Sequence, residues 1–206
     1  SRGRGVVGPR IEVDEPLLAL QQLAGWVRTH QMGRVLAITG SNGKTIVKDA
    51  LTTILTGAMR VACSPGSYNS QVGVPLALLS IPKDVELAII EVGVAAPGEM
   101  LRQREMVAPD YGLLTNIGLA HIGSFGERAV TAHEKMSLFT EMDANGWVLL
   151  PREESLVAEQ LGRIQADIAW HGEDGLVVLE DRTDVANGSA LTMRFPDGQR
   201  LTIGVG

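Results

Sequence analysis

The segment that most restricts the fold of this chain is Ile38-Thr39-Gly40-Ser41-Asn42-Gly43-Lys44-Thr45. It follows a short β-rich apolar run at 35–39 and precedes an amphipathic helical pattern at 45–55. Glycines allow backbone N–H groups to turn towards phosphate oxygens, and the helix that follows adds the positive end of its dipole. The pattern therefore predicts a phosphate-binding loop, because such a loop stands between a strand and a helix.

Two residues of this loop have predicted roles in binding a nucleotide. The Lys44 ammonium would reach the outer phosphates, and the Thr45 hydroxyl would be a ligand for Mg²⁺. The common form of such loops is longer between its glycines, whereas two residues separate Gly40 from Gly43. The shorter loop argues against the usual GTPases and motor ATPases. The alternative interpretation is a glycine-rich turn that precedes a lysine by chance.

Apolar runs alternate with helical patterns along most of the chain, which is typical of a parallel sheet with right-handed crossovers. The predicted strands are 35–39, 61–63, 87–92, 111–115, 147–150 and 168–170, and the predicted helices are 15–29, 45–55, 74–79, 98–107, 129–142 and 153–161. After residue 172 the pattern changes to strands without helices, at 176–179, 190–195 and 200–203, with a hairpin turn at 196–198. The sequence therefore predicts an α/β fold, with a mostly parallel sheet, flanking helices and a small C-terminal β-meander.

Composition and charge exclude several classes of protein. Apolar residues make up 45% of the 206 residues, which is enough to bury a core. The net charge is −6, whereas nucleic-acid-binding proteins usually carry a basic excess. The single cysteine, Cys63, excludes a disulfide framework. No apolar run approaches the ~20 residues of a membrane span, and residues 1–10 lack the apolar stretch of a signal peptide. We expect a cytoplasmic protein with no nucleic-acid partner and no membrane span.

Glu91 is a candidate metal ligand on the basis of its place in the sequence. It lies near the end of the predicted strand 87–92, at the edge of the sheet where α/β proteins bind their ligands. A carboxylate there suits Mg²⁺, which prefers hard oxygen ligands. From the sequence alone, a solvated acid at a strand end is the alternative.

The segment Thr39–Thr45 resembles the ATP-binding loop of the Mur ligases, the amide-forming enzymes of peptidoglycan precursor synthesis. The similarity continues in family order, across roughly residues 12–206, in the blocks Ser64–Pro75, Glu91–Gly93, Pro97–Met100, Thr115–His121 and Glu134–Phe139. The blocks are most similar to the member that adds D-alanyl-D-alanine, including its form fused to an alanine racemase.

The resemblance implies ATP and two Mg²⁺ ions as cofactors. It supports Thr45 and Glu91 as metal ligands and makes His121 a ligand of the second ion. It also implies that Lys135 carries a carbamate derived from CO₂, which turns a cation into a carboxylate-like metal ligand. Burial that lowers the lysine pKa would help this reaction, because only the neutral amine reacts. Lys44, His121 and Lys135 would be the catalytic residues.

Further residues of the similar blocks are candidates for contacts with substrates. Asn116 would contact the nucleotide or the substrate, and Ser67 and Asn69 would face the UDP-linked substrate. The sequence departs from the pattern at Ala95 and Ala96, where the D-alanyl-D-alanine enzymes usually have a polar pair. Because alanine side chains donate no hydrogen bonds, recognition of the peptide is expected to differ there.

The resemblance covers one domain of a longer enzyme. We expect residues 15–206 to form the central ATP-binding domain, with 172–206 as its meander and 1–14 as the remnant of a linker. An N-terminal domain for the UDP-linked substrate and a C-terminal ligase domain would be covalent neighbours in the parent protein.

The resemblance implies that the parent joins D-alanyl-D-alanine to a UDP-MurNAc-tripeptide through an acyl phosphate, with ATP as the phosphoryl donor. One alternative is a related ligase for another carboxylate and amine, such as folate. The other is a nucleotide-binding module without catalysis.

Overall fold

The computed structural model describes residues 11–118, 127–172, 178–185, 188–194 and 198–205. The strands of the main sheet are β1 (Arg34–Thr39), β2 (Val61–Cys63), β3 (Leu87–Glu91), β4 (Tyr111–Leu114), β5 (Trp147–Pro151) and β6 (Asp167–His171). The described helices are α1 (Pro16–Gln31), α2 (Lys44–Thr56), α3 (Gly73–Ser80), α4 (Glu99–Val107), α5 (Arg128–Met136) and α6 (Ser155–Ala158).

The main sheet has the strand order β2-β3-β1-β4-β5-β6, and every neighbouring pair is parallel. The predicted parallel sheet with flanking helices is therefore confirmed. The chain moves from β1 to one side for β2 and β3, and to the other side for β4 to β6. This reversal next to β1 is the topological switch point where open α/β sheets bind ligands. The loop that follows β1 begins at that point.

The core lies on both faces of the sheet, because β1 and β3 are covered on both sides. Alternate residues such as Leu36, Ile38 and Ile89 pack under α2. Those between them, such as Ala37 and Ile90, pack on the opposite face, where α1, α3 and α4 contact one another. Full burial of one such aliphatic side chain contributes roughly 1.5–3 kcal/mol. The sheet that carries the loop is therefore a rigid support.

The helix predicted over 129–142 is shorter in the structure, and this expectation was wrong at its C-terminal end. Helix α5 ends at Met136, and Ser137–Phe139 continues as a 3₁₀ turn. The Ser137 hydroxyl donates to the His133 carbonyl over 2.8 Å, and the Ser137 N–H is shared among three preceding carbonyls. Such shared bonds are typical of a helix end that tightens into 3₁₀ geometry. The helix predicted over 153–161 is likewise reduced to α6 and a 3₁₀ turn at Leu161–Arg163.

Three further strands pair with one another outside the main sheet. They are β7 (Val178–Val185), β8 (Gly188–Arg194) and β9 (Arg200–Val205), paired antiparallel in the order β7-β8-β9. The first of them runs to residue 185 rather than ending at 179 as predicted. Most of the predicted hairpin turn at 196–198 lies outside the described residues.

Helix α1 has 16 residues and begins with Pro16, which suits a first helical turn because its missing N–H is not needed there. Leu17, Leu18 and Leu23 on this helix are partly exposed.

Within the ranges that the structure describes, no helix combines the length and apolar character needed to cross a membrane.

Candidate nucleotide-binding site

The loop after β1 takes a conformation that requires glycine at both of its glycine positions. Gly40 has a φ of +144° and Gly43 a φ of +79°, values that side-chain-bearing residues rarely adopt. A Cβ atom on Gly40 would also lie 1.9 Å from the Thr115 Oγ1 atom. Gly43 directly precedes α2, so the backbone turns into the positive end of that helix.

The segment that follows β4 holds this loop in place. The Ser41 N–H donates to the Asn116 carbonyl over 3.0 Å. The Asn42 N–H donates to Asn116 Oδ1 over 3.2 Å, and Asn116 Nδ2 donates to the Asn42 carbonyl over 3.1 Å. The Gly118 N–H donates to the Ser41 hydroxyl over 2.8 Å. The polar contacts of Asn116 are therefore made with the loop itself.

The Lys44 side chain folds back over the loop. Its ammonium donates to the Gly40 carbonyl over 2.9 Å and lies 3.5 Å from the Ser41 carbonyl. Burial lowers the pKa of Lys44, and the negative charge of Glu91 opposes that shift. The cation thus lies where a bound phosphate would replace the two carbonyls as its partner.

Glu91 is buried between α2 and the loop after β2. Only 1% of its surface is exposed, so it is not the solvated acid of the alternative interpretation. Thr45 Oγ1 donates to Glu91 Oε2 over 2.7 Å, and Asn69 Nδ2 donates to Glu91 Oε1 over 2.5 Å. β3 aligns Glu91 with Ile38 of β1, which puts the carboxylate beside the start of the loop. A hydroxyl and a carboxylate at this separation are a donor set that fits Mg²⁺.

Lys135 reaches the same loop from α5. The residue is 2% exposed, and its ammonium donates to the Gly40 carbonyl over 3.2 Å. Burial, together with the positive charge of Lys44, lowers the pKa of Lys135 to about 8, and the negative charge of Glu134 partly opposes this shift. A pKa near 8 leaves roughly a tenth of the side chain as the neutral amine at pH 7.

The buried ammonium of Lys135 predicts a pH-dependent effect on stability. The pKa of Lys135 is about 8 in the folded chain, and its ordinary value, which we take for the unfolded chain, is 10.5. Between these two pH values the unfolded chain binds more protons than the folded chain, so the free energy of unfolding rises with pH. At pH 7 the Lys135→Met variant is expected to be more stable by roughly 2 kcal/mol, since the lost hydrogen bond offsets part of the relieved desolvation. Urea unfolding in CO₂-free buffer at pH 7 and pH 10 measures the difference. If the difference in unfolding free energy between the two proteins widened with pH, Lys135 would not have the lowered pKa of a buried ammonium.

A cavity of about 270 Å³ opens beside the two lysines. Its lining includes the polar side chains of Lys44, Asn69 and Lys135, together with Val94, Ala95 and Glu99. The Ala95 N–H donates to Glu99 Oε2 over 2.7 Å, as does the Ala96 N–H over 3.2 Å. The backbone of this segment is therefore tied to Glu99 where the side chains offer no hydrogen bond.

The structure brings most of the predicted site residues together. Those that meet around the loop are Gly40, Ser41, Asn42, Gly43, Lys44, Thr45, Asn69, Glu91, Asn116 and Lys135. Ser67 is exposed and is not among the residues that line the cavity, and its contact with the UDP-linked substrate stays a prediction. His121 lies outside the described residues. Among the described residues there is no group of three or more His, Cys, Asp or Glu side chains around one point.

Sequence reasoning missed several residues that support the site, namely Lys48, Ser64, Thr115 and Glu134. Lys48 lies four residues after Lys44, so its helical spacing puts it on the same side of α2 as the loop lysine. That spacing was a usable signal. The role of Ser64 had no such signal, because its contact with Glu91 depends on the pairing of β2 with β3.

The fold and the loop together define a class of protein. The chain is an open, mostly parallel α/β domain with the predicted phosphate-binding loop at the centre of its carboxyl edge. Within that class, the sequence model described as the Mur ligase middle domain matches residues 38–202. The match covers most of the chain, so the chain belongs to the Mur ligase middle-domain family, as its sequence blocks predicted.

The chain is most usefully compared with three named relatives. The Bacillus subtilis UDP-N-acetylmuramoyl-tripeptide--D-alanyl-D-alanine ligase is 35% identical over 147 residues, which are 71% of this chain and 32% of that protein. Crystal structure I of MurF from Acinetobacter baumannii has a TM-score of 0.86 at 28% identity, over 94% of this chain and 43% of that one. MurF ligase from Thermotoga maritima, solved in complex with ADP, has a TM-score of 0.85 at 25% identity, over 98% of this chain and 47% of that one. This chain thus spans about a third of the length of the Bacillus subtilis relative.

Proposed function

We propose that this chain is the ATP-binding domain of a ligase that joins D-alanyl-D-alanine to a UDP-MurNAc-tripeptide. The observation that carries the proposal is the convergence of Lys44, the Thr45–Glu91 pair and Lys135 on one loop. The names of the relatives support the choice of substrates. The remaining parts of the enzyme would be covalent neighbours of this domain, and we place the ligase in the cytoplasm.

The proposed reaction has two steps. First, the terminal carboxylate of the peptide attacks the γ-phosphorus of ATP, which forms an acyl phosphate and releases ADP. The amine of D-alanyl-D-alanine then attacks the acyl carbon, a C–N bond forms, and the C–O bond to phosphate breaks. Inorganic phosphate leaves and the nitrogen loses a proton, so the products are an amide, ADP and phosphate.

The residues of this chain would act mainly by binding and by neutralising charge. Backbone N–H groups of the loop and the start of α2 would hold the phosphates, and the Lys44 ammonium would turn from the loop carbonyls to the outer phosphate oxygens. Thr45 and Glu91 would hold one Mg²⁺, which when bound offsets negative charge on the phosphates. The sheet beneath keeps these groups in place before the substrate arrives.

Lys135 would contribute a second set of oxygen ligands after modification. Its neutral amine would attack CO₂, and loss of a proton would leave a carbamate with two oxygens in place of the ammonium. The lowered pKa of Lys135 supports this step, because the reacting amine is available near neutral pH. We propose that this carbamate and His121 hold the second Mg²⁺.

The substrates would meet at the cavity beside the lysines. Asn69 lines that cavity, and we propose that it faces the UDP-linked peptide. The side chain of Ser67 is exposed, so Ser67 would contact a part of the same substrate that lies outside the cavity. Asn116 would act on the nucleotide through the loop that it holds.

A ligation assay on the full-length enzyme tests the proposal. With ATP, Mg²⁺, UDP-MurNAc-tripeptide and D-alanyl-D-alanine, mass spectrometry is expected to detect the amide product, with ADP and phosphate released in equal amounts. A panel of other carboxylates and amines, folate among them, is run in parallel. Amide formation only with another pair would identify a different ligase of this family. Bound ATP without any amide would instead identify a nucleotide-binding module.

A further inference from the structure

We propose that Lys48 is a positioning residue, whose buried ammonium holds the loop that carries Asn69 against Glu91. The inference rests on the proposed function, because it concerns the geometry of the same nucleotide and metal site. Lys48 itself does not line the cavity beside Lys44 and Lys135, so it would act through the residues it holds.

Lys48 lies on α2, one turn after Lys44, and only 1% of its surface is exposed. Its ammonium donates to the Ser64 carbonyl over 2.9 Å and to the Gly66 carbonyl over 2.5 Å. The ammonium also forms an ion pair with Asp49 Oδ1 at 3.2 Å, on a side chain that is 62% exposed. The buried ammonium therefore has two hydrogen-bond acceptors on the loop after β2 and one neighbouring carboxylate.

Burial of an ammonium group in a protein interior is unfavourable in free energy. Removing such a charge from water is unfavourable unless hydrogen bonds offset it, and an apolar side chain of similar length would avoid that penalty. What the ammonium supplies is two donors to backbone carbonyls of the segment 64–66. That segment turns sharply at Gly66, where φ is +48°, and it begins after the last residue of β2.

The same segment is connected to Glu91 at two points. The Glu91 N–H donates to the Ser64 hydroxyl over 3.1 Å, and Asn69 Nδ2 donates to the Glu91 carboxylate. The Gly93 N–H also donates a hydrogen bond to the Asn69 carbonyl over 2.7 Å. The loop after β2 thus holds one oxygen of Glu91 and the backbone on either side of it.

These contacts close a ring. Thr45 on α2 holds one Glu91 oxygen, Asn69 on the loop holds the other, and Lys48 joins α2 to that loop. Without the ammonium, the loop would lose its attachment to the helix that begins at the phosphate-binding segment. Asn69 would then release its Glu91 oxygen, and the carboxylate could rotate away from Thr45.

The first test is made on this chain without ligands, by NMR. In Lys48→Met, amide hydrogen exchange at Glu91 and Gly93 is expected to rise by roughly tenfold, because their acceptors lie on the released loop. The Asn69 side-chain NH₂ signals, assigned with Asn69→Ala, are expected to move towards those of exposed asparagines. Amides of β4 and β5 should keep their rates. Lys83→Met, which removes a lysine that is exposed, serves as the matched control.

The second test measures kinetics in the full-length ligase. Lys48→Met is expected to lower kcat by roughly 10- to 100-fold, as is typical when a residue that orients a ligand is lost. The KM for ATP should change little, since Lys44 and the phosphate-binding loop keep their contacts. Lys48→Arg, which keeps the charge, should retain more of kcat than Lys48→Met, and Lys83→Met should match the unchanged enzyme.

Two outcomes overturn the proposal. One is exchange that is unchanged at Glu91 and Gly93, and the other is exchange that rises equally throughout the sheet, which would mean a general role in stability. Should Lys48→Met fail to fold, Lys48→Gln, which retains one donor group, is judged by the same local pattern. If the unchanged enzyme forms no amide, the proposed function fails, and the exchange data still decide whether Lys48 holds the loop.

Discussion

Replacing Lys44 with alanine is expected to lower ligation by roughly 10²- to 10³-fold or more and to leave the fold intact. Within the part of the chain that the structure describes, the hydrogen-bond partners of this ammonium are carbonyls of the phosphate-binding loop. Burial lowers its pKa, so its removal relieves desolvation in the folded state. The substitution is instead expected to weaken nucleotide binding and ligation, because the ammonium no longer neutralises the negative charge of the phosphates.

Calorimetric titration with a non-hydrolysable ATP analogue, with and without Mg²⁺, measures the binding part of this effect. Circular dichroism and thermal unfolding establish that the Lys44→Ala variant is folded. Lys83→Ala is the matched control, because Lys83 is exposed. Near-normal turnover of Lys44→Ala in the full-length ligase would remove Lys44 from the mechanism.

The Gly40→Ala variant is expected to lose nucleotide binding and about 2–5 kcal/mol of stability. Two independent effects act at this position. The φ of +144° is unfavourable for alanine, and the new methyl group would lie 1.9 Å from Thr115 Oγ1 and 3.1 Å from the Asn116 nitrogen. The loop must therefore move away from the segment that holds it, and the Gly40 carbonyl moves with it. That carbonyl is the shared acceptor of Lys44 and Lys135.

Gly57→Ala is the control for this substitution. Gly57 ends α2 with a φ of −74°, and a Cβ there would meet only the Ile54 carbonyl oxygen at 4.0 Å. Alanine at such a position is expected to be neutral or slightly stabilising. Urea unfolding and nucleotide titration of both variants make the comparison. Equal effects in the two proteins would mean that the close approach at Gly40 does not determine the shape of the loop.

The parts of the molecule that could be predicted from sequence are those encoded over short distances. The strand, the two loop glycines and Lys44 are adjacent in the chain, and their order alone predicts a phosphate-binding loop. Glu91 was predictable because the carboxyl ends of parallel strands share one edge of the sheet. The ends of the helices were less predictable from the sequence. The helix predicted over 129–142 ends at Met136, where the Ser137 N–H is shared among preceding carbonyls and the Ser137 hydroxyl also donates to one of them.

Several assignments needed contacts that periodicity does not encode. Ser67 and Asn69 are close in sequence and were expected to share a role, but only Asn69 turns inward to Glu91. Asn116 is predicted to contact the nucleotide or the substrate, and the structure adds its hydrogen bonds with Asn42 of the loop. Both contacts join residues that are more than 20 positions apart, so the periodicity of the sequence does not encode them.

The sequence by itself determined the class of fold and the family and predicted the phosphate-binding loop, since each strand, helix and motif is encoded in a short run of residues and their order is read along the chain. Only the tertiary structure decided which cations and carboxylates lose their water. Thr45 and Glu91 are 46 residues apart, and Lys135 and Gly40 are 95 apart. The buried state of Lys48 likewise depends on a loop that begins 16 residues later. Desolvation and hydrogen bonding of a charge are set by whatever packs around it, and in this chain those neighbours come from distant segments.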